Sequence, residues 1–154
     1  MSLNNNSWVI CGFPGVGKTQ FYNNFRVRNI TLGNGITSLD SDSTDFDKDN
    51  FPENYLKHIQ KQVITGTNAI LVSTHKEVLD GLEEMKINHL IVYPDINLKN
   101  EYLKRYIHRY SSFDFIKKVM DHWEEWILAI EERKHEKYSL LVKLNKNEVL
   151  ADLF

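Results

Sequence analysis

The sequence is short of cysteine, of net charge and of long apolar segments, and each shortage excludes a class of protein. Cys11 is the only cysteine in 154 residues, so we expect no disulfide and no cysteine-built zinc site, which fits a reducing cytoplasm. The formal net charge of −2 gives no electrostatic footprint for non-specific binding to duplex nucleic acid, although a local basic groove stays open. The longest apolar run, residues 69–72, is far below the ~20 residues of a membrane span, and the N-terminus has no secretory-signal pattern.

What is present is a regular alternation of two periodicities, in a chain with 42% hydrophobic and 26% charged residues. Short apolar runs predict five strands, at residues 8–11, 36–39, 69–72, 89–93 and 138–144. Helical spacing between them predicts helices after residue 18 and over residues 53–65, 78–85, 98–107 and 115–130, with a short one at the C-terminus. The strand–helix order, without a repeat or a linker, predicts a single α/β domain over residues 1–154, with a five-stranded parallel sheet flanked by helices on both faces.

Ligands of such sheets bind at the carboxyl ends of the strands. The first predicted strand ends in Gly-Phe-Pro-Gly-Val-Gly-Lys-Thr at residues 12–19, which matches the pattern GxxxxGK[ST]. The glycines allow the loop to curl so that backbone N–H groups point inward, and the following helix adds the positive end of its dipole. Lys18 has the reach to contact terminal phosphates, and the Thr19 hydroxyl is a hard oxygen ligand suited to Mg²⁺. The candidate phosphate-binding residues are Gly12, Pro14, Gly15, Val16, Gly17, Lys18, Thr19 and Gln20.

With this motif the chain resembles the P-loop NTPases, and in layout and size it is similar to their small-molecule kinases, the group of nucleoside monophosphate, shikimate and gluconate kinases. The resemblance implies a three-layer P-loop fold, ATP as donor and Mg²⁺. It also implies roles for Asp40-Ser41-Asp42 after the second strand, where related kinases carry a DxD element for magnesium and acceptor. A small helical lid around residues 97–114, with Arg105 and Arg109 on one face, is implied as well. The segments at residues 40–43 and 51–55 resemble those of small P-loop proteins from phages and prophages.

Two departures from the family pattern redistribute these roles. Many P-loop NTPases end the third strand in an aspartate that holds the water shell of magnesium, whereas this strand runs into Ser73-Thr74-His75. The metal role therefore moves to Asp40, together with Thr19. No NKxD-type guanine-reading element is present, which favours ATP over GTP.

The other candidate residues have two interpretations each. Asp42 is a general base if the acceptor is a hydroxyl, and only an orienting group if the acceptor is a phosphate. Arg105 and Arg109 are spaced to grip one polyphosphate, or they lie on a solvated helix face. His75 follows a central strand directly and is either an acceptor-site residue or a neighbour of the next helix without ligand contact. Tyr55 and His58 line an acceptor pocket only if the helix after Pro52 covers it.

These residues favour a cytoplasmic, ATP- and Mg²⁺-dependent phosphotransferase acting on a small metabolite, and we favour a nucleotide or nucleoside-like acceptor. Lys18, Asp42, Arg105 and Arg109 are its candidate catalytic residues. Two alternatives remain open: a nucleotide-dependent regulatory ATPase or GTPase that acts through a partner, and a kinase of polynucleotide 5′-hydroxyl ends. The charge balance disfavours nucleic acid as a partner, and the sequence leaves the oligomeric state open.

Overall fold

The computed structural model describes residues 7–28, 36–38, 48–66 and 69–153. Four strands of four to six residues are present: β1 (Trp8–Gly12), β2 (Ala69–Val72), β3 (His89–Pro94) and β4 (Ser139–Leu144). The helices are α1 (Lys18–Arg28), α2 (Glu53–Ile64), α3 (Lys76–Glu84), α4 (Lys99–His108), α5 (Phe113–Asp121) and α6 (Trp123–Glu131). Short 3₁₀ turns lie at Lys48–Asn50, Ile96–Leu98, Glu132–His135 and Leu150–Leu153.

The strands form one parallel sheet in the order β2-β1-β3-β4. Of the second strand predicted at residues 36–39, the structure describes a three-residue segment, Ile36–Ser38, that pairs in parallel with the outer edge of β2. The predicted sheet of five strands is therefore corrected to four strands with a short segment added at one edge. In the sequence this segment stands between Gly35 and the acidic residues that begin at Asp40, and glycine and aspartate are both depleted in strands.

The core is centred on β1 and β2. All four residues of β2 are buried, as are residues 9–12 of β1, which is the pattern of strands covered on both faces. Helices α2 and α3 pack directly against each other, since a Cβ atom on Gly81 of α3 would overlap the side chain of Leu56 on α2. The apolar runs that predicted β1 and β2 therefore lie in the buried core.

The topology opens a crevice at the carboxyl ends of β1 and β2. From β1 the chain passes through α1 toward the edge segment beyond β2, whereas from β2 it passes through α3 to β3 on the other side of β1. Right-handed crossovers that lead in opposite directions lie on opposite faces of a sheet. The connections therefore diverge between Gly12 and Ser73, where open α/β sheets bind their ligands.

One helix prediction needs correction. The single helix predicted over residues 115–130 is two helices, α5 and α6, because the backbone leaves helical geometry at His122, with φ −107° and ψ 10°. Trp123, the next residue, is fully buried, and its indole N–H donates to the carbonyl oxygen of Ile96 at 2.8 Å. Its ring also meets that of Phe13 edge-on, with centroids 5.4 Å apart, so α6 supports the loop that follows β1.

Candidate functional site

The GxxxxGK[ST] segment forms a tight loop between β1 and α1. Gly15 and Gly17 have φ values of 92° and 100°, conformations that side-chain-bearing residues rarely adopt. The loop is fastened to the sheet because the N–H of Phe13 donates to the carbonyl oxygen of Val92 at 2.9 Å. Within the described part of the chain, the N–H groups of Gly15, Gly17 and Thr19 donate to no backbone carbonyl. Such N–H groups at a helix N-terminus are the ordinary binding site of a phosphate.

Lys18 lies against the start of this loop. Its side chain is 9% exposed, and its ammonium group donates to the carbonyl oxygen of Gly12 at 2.7 Å. A Cβ atom on Gly12 would lie 2.9 Å from the Lys18 stem, so only glycine leaves the room that this arrangement uses. Thr19 and Gln20, the next residues of the first helical turn, have exposed side chains. The loop therefore combines N–H donors, one cation and one hydroxyl within five consecutive residues.

Two tyrosine side chains of helix α4 contact the loop. The hydroxyl of Tyr106 donates to the carbonyl oxygen of Pro14 at 2.6 Å, and burial raises the pKa of Tyr106, so this hydroxyl keeps its proton. A Cβ atom on Gly15 would lie 2.8 Å from the Tyr106 ring and 3.0 Å from that of Tyr102. Both tyrosines are fully buried, and burial also raises the pKa of Tyr102, to about 12. The conformation of the loop therefore depends on the ring surfaces of α4.

Arg105 completes this support with its two terminal nitrogens. One donates to the carbonyl oxygen of Gly15 at 2.8 Å, and the other bonds Glu101 Oε2 at 2.8 Å and the carbonyl oxygen of Glu148 at 3.0 Å. The guanidinium also lies over the Tyr102 ring, 4.2 Å from its centroid. Arg105 therefore ties the loop, α4 and the C-terminal segment together through main-chain carbonyls.

The two predicted lid arginines have different surroundings in the structure. Arg109 is exposed at the end of α4, where its Nε donates to Ser111 Oγ at 3.0 Å and its guanidinium lies 5.1 Å from the centroid of the Tyr106 ring. A spacing of four residues puts both arginines on one helix side, but only Arg105 reaches the loop. In this arrangement Arg105 braces the loop and Arg109 lies on the surface.

Four residues meet at the carboxyl end of β2, and we call Phe51, Tyr55, Ser73 and His75 the strand-end cluster. Ser73 follows Val72, the register partner of Cys11, and so lies beside Gly12. Its Oγ is 2.7 Å from Nδ1 of His75, and its N–H donates to the Tyr55 hydroxyl at 3.4 Å. The Phe51 ring lies edge-on to two rings, and its centroid is 6.1 Å from that of His75 and 5.6 Å from that of Tyr55. Of the predicted acceptor residues, the structure thus brings Tyr55 and His75 together, while His58 is half-buried one turn further along α2.

The imidazole of His75 favours its neutral form. Although the residue as a whole is exposed, partial burial of its ring lowers the pKa of His75. The carboxylate of Glu77 opposes this effect, and the positive charges of Lys118 on α5 and of Lys18 add to it. Lys118 is a residue that sequence reasoning missed, because nothing in the pattern of α5 distinguishes it from a solvated lysine.

A groove opens between α4 and the segment after β4. Its larger part has a volume of about 480 Å³ and an adjoining part about 420 Å³, and both are lined by Glu101, Lys104 and Asn147. The groove adjoins the loop, because Arg105 lines its smaller part and bonds Gly15, and because the N–H of Leu150 donates to the carbonyl oxygen of Val16 at 2.8 Å.

The predicted magnesium and acceptor aspartates, Asp40 and Asp42, lie outside the described residues. Over the described ranges, no three His, Cys, Asp or Glu side chains form a group that could hold a metal ion. The exposed Thr19 hydroxyl, next to Lys18 at the helix N-terminus, fits one ligand of a magnesium ion that is otherwise held by phosphate oxygens and water.

Comparison with known proteins leaves the family open: no protein-family model matches the chain, and no curated protein is significantly similar to it. Among the described residues, no helix combines the length and the apolar character needed to cross a membrane. Any assignment of function therefore has to be argued from the residues of the site.

Proposed function

We propose that this protein is an ATP- and magnesium-dependent phosphotransferase that acts on a small metabolite, with a nucleotide or nucleoside-like acceptor favoured. The geometry of the loop at residues 12–19 carries the proposal. Two glycines at positive φ, three N–H groups without a main-chain carbonyl partner among the described residues and a buried lysine are the parts that a triphosphate site needs.

In this proposal the loop binds the donor phosphates. The N–H groups of Gly15, Gly17 and Thr19 donate to phosphate oxygens, and the ammonium group of Lys18 exchanges the Gly12 carbonyl for a terminal phosphate. Thr19 would hold magnesium, with Asp40 as the further ligand that the sequence suggests, and the bound ion would supply neutralisation of phosphate charge. Positioning and electrostatic stabilisation account for most of the catalysis of phosphoryl transfer, so a loop that is rigid before binding has a direct effect on rate.

The groove beside α4 suits the nucleoside part of the donor. It adjoins the loop, and a volume of about 480 Å³ lies within the range of small-molecule sites. The polar side chains of Lys104 and Asn147 line it and offer hydrogen bonds to a base or a ribose. Arg105 touches both the groove and the loop, and through these contacts it supports both parts of the proposed donor site.

An ADP-release assay with a panel of nucleosides, nucleotides and sugar acids tests the proposal. We expect acceptor-stimulated ADP release that depends on magnesium, and we assign the activity to the cytoplasm. Lys18→Met keeps the aliphatic stem and removes the charge, so it should abolish turnover while the melting temperature changes little. Lys134→Ala, at an exposed lysine of the Glu132–His135 turn, is the control and should retain full activity.

Two results would contradict this assignment. Folded protein that binds ATP but shows no stimulation by any acceptor would favour a nucleotide-dependent regulator. Equal turnover by the wild type and Lys18→Met would remove the loop from the reaction altogether.

A further inference from the structure

The strand-end cluster points to the chemical class of the acceptor. We infer that the acceptor is an alcohol, specifically a nucleoside hydroxyl rather than a nucleotide phosphate, and that His75, oriented by Ser73, takes the proton of that hydroxyl. This inference rests on the proposed kinase function, and it deepens that function by naming the acceptor class and its base.

Ser73 and His75 lie at the end of the sheet that carries the proposed phosphate site. Ser73 lies beside Gly12, because the residues that precede them, Val72 and Cys11, are register partners in adjacent strands. Gly12 accepts the hydrogen bond from the Lys18 ammonium, so Ser73 is one strand away from the group proposed to hold the terminal phosphate. The 2.7 Å contact between Ser73 Oγ and His75 Nδ1 then fixes the imidazole at the same end of the sheet.

The chemistry of the imidazole supports the same inference. In the tautomer that we infer, Nδ1–H donates to Ser73 Oγ, and Nε2 keeps its lone pair for a substrate proton. The charged groups that face the ring are Lys18, Lys118 and Glu77. Partial burial, to which the two lysines add and which Glu77 opposes, keeps the ring neutral at pH 7. A neutral imidazole beside a phosphoryl site is a competent general base.

The side chains around His75 suit a neutral acceptor better than a charged one. Transfer to a phosphate needs little base and is usually served by arginine forks that bind the acceptor's charge. The strand-end cluster itself contains no arginine, and it consists of two aromatic rings, an imidazole and the hydroxyls of Tyr55 and Ser73. Of the cations nearby, Lys76 is engaged with Asp80 at 2.8 Å and Lys18 with the carbonyl oxygen of Gly12 at 2.7 Å, and Lys118 offers a point charge rather than the fork of an arginine. Phe51, which is half-buried and lies edge-on to the His75 ring, gives this end of the sheet an apolar surface, and an apolar surface with a few polar groups suits a neutral body that carries a base and a sugar.

The proposed step balances as follows. The acceptor oxygen forms a bond to the γ-phosphorus of ATP while its proton passes to Nε2 of His75. The bond between the γ-phosphorus and the β,γ-bridging oxygen breaks, and its electron pair leaves with ADP. The imidazolium then returns the proton to solvent.

The test measures transfer of labelled γ-phosphate from ATP to adenosine, thymidine and deoxycytidine, and in parallel to their 5′-monophosphates. We expect transfer to the nucleosides, with a rate that falls about tenfold per pH unit below the pKa of His75. His75→Ala should lower kcat by about 100-fold or more, leave KM for ATP unchanged and abolish this acid limb. His135→Gln, at an exposed histidine of the Glu132–His135 turn, is the control and should keep the wild-type rate and pH profile.

Ser73 is a positioning residue, and its variants separate that role from packing. Ser73→Ala should lower kcat without raising KM for ATP, and Ser73→Thr, which restores the hydroxyl, should recover most of the rate. The ¹⁵N shifts of the His75 ring in the wild-type protein report the tautomer directly, without a variant that must fold. We expect the Nδ1–H form.

Each contrary outcome has a distinct meaning. Transfer to the monophosphates alone, an Nε2–H tautomer, or an unchanged rate in His75→Ala overturns the inference and leaves the kinase proposal standing. Nucleotide binding without transfer to either class overturns the inference as well, whereas absence of ATP binding overturns the proposed function.

Discussion

Substitution of Gly15 by alanine measures how closely the loop is packed on α4. Two costs are expected. The left-handed conformation of residue 15, with φ 92°, costs an L-residue about 1–2 kcal/mol. The new methyl group would also lie 2.8 Å from the Tyr106 ring and 3.0 Å from the Tyr102 ring, and overpacking against buried side chains costs about 1–3 kcal/mol.

Gly66 provides a matched control within the same chain. It has a similar φ of 82°, but a Cβ atom there would meet no atom within 4 Å. Gly66→Ala should therefore lower the free energy of unfolding by about 1–2 kcal/mol, and Gly15→Ala by about 2–5 kcal/mol. Urea denaturation of the two variants and the wild type gives these values, and ATP titration of the folded proteins should show weaker binding for Gly15→Ala only.

The difference between the two variants isolates the packing contribution. Equal destabilisation would show that the tyrosine rings do not press on the loop. Unchanged ATP affinity in a destabilised Gly15→Ala protein would show that loop geometry does not govern binding.

Two further predictions concern the arginine brace and the buried histidine. Arg105→Ala should lower the free energy of unfolding by about 1–3 kcal/mol and weaken ATP binding, because three hydrogen bonds of a half-buried guanidinium are lost. Arg109→Ala should leave the denaturation curve unchanged. Equal effects of the two substitutions would show that Arg105 does not brace the loop. Burial lowers the pKa of His89. Below about pH 6.5 the imidazole of His89 therefore binds a proton in the unfolded chain but not in the folded chain. Through this histidine the free energy of unfolding should fall by at most about 1.4 kcal/mol per pH unit on acidification. His89→Gln should flatten the curve of unfolding free energy against pH between pH 6.5 and 5.5, and the exposed His135→Gln should not; a slope unchanged in His89→Gln would contradict the buried, neutral state.

The strands that the sequence predicted well are those with a strong local signal. β2 matches its predicted bounds, and β1 and β3 each extend one residue past them, because continuous apolar runs bounded by Gly or polar residues have few alternatives in a covered parallel sheet. The segment Ile36–Ser38 has a weaker local signal, since glycine and aspartate stand close to it in the sequence. The break at His122 was missed because helical spacing continues through it, and it shows only in the backbone angles of His122.

In the site, local spacing predicted the loop, whereas tertiary contacts determine which residues surround it. The four-residue spacing predicted a common helix side for Arg105 and Arg109, but it carries no information on what that side touches. The partners of Arg105 are 90 and 43 residues away, at Gly15 and Glu148, and are main-chain carbonyls without a residue signature. The contact of Ser73 with His75 is local and was within reach of the sequence, whereas the proximity of Lys118 depends on how α5 folds back.

The central claim is that the loop after β1 binds polyphosphate through its main-chain N–H groups. An NMR titration of ¹⁵N-labelled protein with magnesium ATP, and separately with tripolyphosphate, tests it most directly. The account predicts large, saturable shifts of the amide signals of Gly15, Gly17 and Thr19 with both ligands, and larger shifts in the groove residue Asn147 with ATP alone. Amide signals at these three residues that stay in place at millimolar concentrations of both ligands would contradict it.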